Sequence, residues 1–70
     1  MPQFDPALIE VMKRVLEDTM SRVPSEYSTP AAKAYLAEFI LKAAAQGQTS
    51  YDTLIVSAAE QIEVFVSLFS

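Results

Sequence analysis

Between Pro6 and Pro24 the apolar side chains Leu8, Ile9, Met12, Val15, Leu16, Met20 and Val23 recur every three or four residues. At about 100° per residue they fall on one side of a helix. Glu10, Lys13, Arg14, Glu17 and Asp18 fall opposite. Asp5-Pro6 opens this helix, with Asp as N-cap and Pro at the first helical position, where its missing N–H costs nothing. The spacing predicts a helix over about 6–23. Glu10–Arg14, Arg14–Asp18 and Asp18–Arg22 are opposite charges four apart, each pair worth about 0.3 kcal/mol.

Ser25 to Thr29 reads as a loop. Thr29-Pro30 repeats the capping signal, with Ser28 as the alternative cap, and predicts a second helix over about 30–46. Gly47 supplies the left-handed residue that commonly closes a helix. After Gln48, either Thr49 or Ser50 caps a third helix over about 50–68. With Thr49 as cap, Asp52 would complete a capping box. Leu54, Ile55, Ala58, Ala59, Ile62, Phe65, Val66 and Phe69 form its inward stripe. Thr53, Ser57, Glu60, Gln61, Glu63 and Ser67 lie outside, and Val56, Val64 and Leu68 break the polar side. The end, residues 64–69, is rich in strand-favouring residues; a short terminal strand is the competing reading there. One all-α domain over residues 1–70 follows, as a three-helix bundle or an open three-helix arrangement completed by dimerisation.

The second helix is the unusual one. From Ala31 to Gln46 its long polar groups are Lys33, Glu38, Lys42 and Gln46. A helix apolar nearly all round is normally buried on more than one side. Ala32, Leu36, Phe39, Ile40 and Ala43 form one apolar sector. Ala34, Ala37, Leu41, Ala44 and Ala45 form another, mostly of small residues. Glu38 and Lys42 lie between them as a four-apart ion pair. Ala is a strong helix former, and an exposed Ala face needs no partner. The sharper reading is that small residues permit close approach of another helix, with Leu41 as anchor. A two-fold contact is the commonest outcome for a homo-oligomer. The expectation is therefore a homodimer with Ala34, Ala37, Leu41, Ala44, Ala45, Val56, Val64 and Leu68 at its interface.

Composition sharpens this. A chain of 70 residues builds a marginal core, and disulfides, metals or partner chains are the usual supplements. With neither Cys nor His, thiolate and imidazole ligands are both missing. Oligomerisation is left, and 51% hydrophobic residues with a mean hydropathy of +0.22 point the same way. Net charge is −4 and the isoelectric point about 4.4. That balance disfavours neutralising phosphates or docking on anionic membranes. Residues 1–6 lack a signal peptide's basic start and apolar run. No stretch reaches the roughly 18 charge-free apolar residues of a membrane span. A cytoplasmic protein is expected.

Chemistry is sparse. Glu60 and Glu63 share a helix face but read as solvated carboxylates. Ser and Thr lack a His to activate them, and a single Gly cannot build a phosphate cradle. The expectation is no enzyme, no cofactor and no metal. The second helix, Gly47 and the third helix superficially resemble a helix-turn-helix. The reading helix would then carry Asp52, Glu60 and Glu63 and no Lys or Arg.

Residues 36–47, Leu-Ala-Glu-Phe-Ile-Leu-Lys-Ala-Ala-Ala-Gln-Gly, followed by Leu54 and Ala58-Ala59, resemble short uncharacterised bacterial proteins. Those pair an LAxxILxxAAxG helix with an LxxxA helix. The likeness covers about half the chain and implies a small helical fold of unknown function. Here Gln48-Thr49-Ser50 follows the Gly, where that group tends to carry acidic residues and Pro. It transfers no site residues.

Three functional classes stay open. The first is a dimeric interaction or regulatory module presenting a helical surface to a protein partner. The second is a small DNA-associated protein with a patch from Lys13, Arg14, Arg22 and Lys33. The third is a carrier of hydrophobic ligands lined by Met12, Met20, Tyr27, Tyr35, Tyr51 and the Phe residues.

Overall fold

The structure, a computed structural model, describes residues 5–69. Residues 1–4, read above for a leader, lie outside the described residues. Among the described residues the chain forms α1 (Pro6–Arg22), α2 (Pro30–Ala45) and α3 (Tyr51–Ser67), with a 3₁₀ turn at Ser25–Tyr27 and no strand. The strand-favouring tail is therefore helical up to Ser67. Its β-branched residues are overridden by packing, since Phe65 on the same turns is buried.

Each boundary has a local cause. The Asp5 carboxylate accepts the Ala7 N–H at 2.7 Å, and the Thr29 hydroxyl accepts the Ala32 N–H at 3.1 Å. Both caps precede a Pro that starts the helix. Ser50 caps α3, accepting the Thr53 N–H at 3.3 Å. With Ser50 as cap, Thr53 rather than Asp52 occupies the third position, so the Thr49–Asp52 capping box does not form. The end of α2 closes with two nested bonds. Gln48 N–H reaches the Ala43 carbonyl at 3.1 Å and Gly47 N–H reaches Ala44 at 3.0 Å. This arrangement needs a left-handed residue between them, and Gly47 supplies it at φ 105°.

α1 packs against α2 and α3, which also touch each other, so the open alternative gives way to a closed bundle. It measures 36 × 20 × 19 Å. The core is drawn from all three helices: Met12 and Val15, Leu36 and Ile40 with Ala43 and Ala44, and Leu54, Ile55, Ala58 and Phe65. Burying one such Leu or Ile removes about 2 kcal/mol of apolar exposure. Three residues depart from the expected stripes. Ile9, on the groove between α1 and α2, and Phe69, beyond the last turn of α3, remain 39% and 63% exposed. Thr19, not counted as core from its type, is fully buried, and its hydroxyl has no hydrogen-bond partner among the described residues.

No helix of the described residues is long and apolar enough to cross a membrane.

Candidate interaction surface

The two apolar sectors of α2 have different fates. Ala32, Leu36, Ile40 and Ala43 are buried against α1 and α3. In the second sector Leu41 is 46% exposed, Ala34 and Ala45 are exposed, and Ala37 is half-buried. Ala44 departs from its sector. It is buried in the core with Ala43, so it contributes nothing to an outer face. The reason is rotational. A wheel orders residues around a helix but does not say how the helix is turned toward its neighbours, and α2 is turned so that Ala44 faces inward.

The eight residues expected at one interface fall into separate places. Ala37 and Leu41 meet α1, where with Ile40 they form one wall of an apolar groove. The other wall is Ile9, Met12 and Leu16. Lys13 is the single charged residue on it, and the groove holds about 300 Å³. No residue of α3 lines it. Val64 and Leu68 are exposed on α3, and Val56, 60% exposed, stands about 80° round that helix from Val64. The α1 half of the groove was not singled out from sequence, because Ile9 and Leu16 read as ordinary members of the core stripe. The available signal was Lys13, four residues from Ile9 and three from Leu16, marking that edge of the stripe as open to water.

The α1–α3 side is chemically different. Its surface depression, about 370 Å³, is lined by Glu10, Val11, Lys13, Arg14, Glu17 and Tyr51. The Tyr51 hydroxyl donates to the Asp18 carboxylate. That bond, helped by burial and by the carboxylate's charge, raises the Tyr51 pKa above its ordinary value of 10.0. The ring packs against the core cluster, and its hydroxyl is engaged by Asp18. The expected Arg14–Asp18 and Asp18–Arg22 pairs do not form, since Asp18 turns to α3. The Glu10–Arg14 pair is replaced by Glu10–Lys13 at 3.7 Å. Glu38–Lys42 forms at 3.1 Å, as its spacing implied.

At the far end, the rings of Tyr27, Phe69, Phe65 and Tyr35 form a chain of contacts with centroids 5.1 to 5.9 Å apart. The Tyr35 hydroxyl donates to Gln61 at 2.8 Å, tying α2 to α3. Such rings act here as packing between elements. Lys13 and Arg14 share their depression with Glu10 and Glu17. Arg22 lines a different depression, with Glu63. Among the described residues no three acidic side chains converge as a metal site.

No family model, curated protein or solved structure matches the chain.

Proposed function

We propose that the protein is a small all-α interaction module that works through protein–protein contact, with the α1/α2 groove as its contact surface. The observation that carries this reading is the groove itself. Apolar side chains line both walls, and Ile9 and Leu41 stand 39% and 46% exposed at its edges. Leaving large apolar side chains in water on a chain this small has a cost that contact with another helix would recover. A photoreactive amino acid placed at position 37, in the cell that makes the protein, tests it. The expected result is covalent capture of protein at that position, abolished by Leu41→Glu with helical circular dichroism unchanged. Capture that is equal in both versions, or no capture, removes the reading.

A further inference from the structure

We infer that Phe69 is a latch: its ring holds the α1–α2 connection against the bundle through Tyr27, and its release frees residues 24–29 while the three helices stay packed.

The connection has one foothold. From Pro24 to Pro30 every residue is exposed except Tyr27, which is half-buried. Among the described residues the hydrogen bonds of the 3₁₀ turn are short-range. Tyr27 N–H donates to the Pro24 carbonyl at 2.8 Å, Ser28 N–H to Ser25 at 3.2 Å and Thr29 N–H to Tyr27 at 2.9 Å. These bonds shape the turn without fastening it to α3. Pro24 borders an open depression with Ile62 and Val66 but is itself exposed. The Tyr27 ring makes the fastening, meeting Phe69 with centroids 5.9 Å apart. Phe69 in turn meets Phe65 at 5.1 Å, and the buried Phe65 meets Tyr35 of α2 at 5.3 Å.

Phe69 is the weak link of this series. It stands just past Ser67, the last residue of α3. Leu68 N–H donates to the Phe65 carbonyl at 3.1 Å and Phe69 N–H to Val66 at 3.0 Å, both bonds of the tight three-residue kind that frays readily. The residue is also 63% exposed. Segments with little burial and solvent-facing bonds open before the body of a domain does. Phe65 keeps Tyr35 when Phe69 leaves, so the opening stops at this end of the bundle.

Amide hydrogen exchange, followed by nuclear magnetic resonance without urea and in low urea, tests the inference. The amides of Tyr27, Ser28 and Thr29 should exchange at rates that low urea does not change, the mark of a local opening, while those of Val15 and Leu54 quicken with urea. Phe69→Ala should quicken the three by about fivefold, still without urea dependence, since a ring contact of ordinary strength is lost. Phe69→Tyr, which keeps the ring, should restore the original rates. Val64→Ala, at another exposed position of α3, should leave them unchanged. Unaltered exchange in Phe69→Ala overturns the inference. So does exchange at Tyr27 to Thr29 that rises with urea in step with Leu54, because the connection would then open only with the whole bundle. An equal effect of Val64→Ala overturns it too, by assigning the protection to α3 at large.

Discussion

α1 makes a seam with each of the other helices, and the two are finished differently. Toward α3, Val11 and Tyr51 lie over the core, the Tyr51 hydroxyl is fastened to Asp18, and the outer rim is Glu10, Arg14 and Glu17. Toward α2, the small Ala37 lines the seam with Leu16 and Leu41, and Lys13 is its one charged residue. Both seams have apolar floors. The difference lies in the size of one outer side chain and the presence of charge beyond it. An apolar groove lies here where the outer residue is small.

The comparison breaks most sharply at the floor. Leu54 is fully buried, so Leu54→Ala should cost about 2–5 kcal/mol. That is comparable to the whole stability of a domain this size, about 4–10 kcal/mol. Urea unfolding followed by circular dichroism reads it. Leu41→Ala, on the open seam, should cost under about 1 kcal/mol in the single chain. Equal costs would mean that the two seams are equally closed.

Thr19 offers an intermediate test. Its buried hydroxyl has no partner, and an unsatisfied buried polar group costs about 1–3 kcal/mol. Thr19→Val keeps the shape and removes that cost. Stability should rise by about 1 kcal/mol, raising the melting temperature by about 4–8 °C. A lower melting temperature would show that the hydroxyl finds a partner in solution.

The smallest effect belongs to the closed seam. The Tyr51 pKa is raised in the folded chain. Its bond to Asp18 is therefore fully present below the ordinary phenol pKa of about 10 and is lost as pH climbs through the raised folded value. Ultraviolet titration should show a phenol component above the ordinary range, and Tyr51→Phe should remove it. Persistence of that component in the variant would assign it to another ring.

What was legible in the sequence was what is local. Asp5-Pro6, Thr29-Pro30 and Gly47 each declare their role within a few residues, and the helices follow from them. Ser50 and Thr49 are both hydroxyl caps one residue apart, so only geometry chose between them. Periodicity found Met12, Val15, Leu36, Ile40, Leu54 and Ala58, because each lies at the centre of a stripe. It failed at stripe edges and helix ends. Ala44 turned inward, Ile9 and Phe69 stayed exposed, and Asp18 faced Tyr51 rather than the arginines four residues away. Of the surface proposed for contact, Ala37 and Leu41 were visible and the α1 wall was not. A pattern within one helix carries no information about which stripe of a second helix it will meet.

Gly47 has a last implication. A side chain at that position would meet no atom within 4 Å, so the corner between α2 and α3 has room for bulk. Its torsion, not its volume, excludes ordinary residues. The site thus discriminates by handedness alone: a D-amino acid of ordinary size would sit there at ease, while its L twin would force the hinge to rebuild.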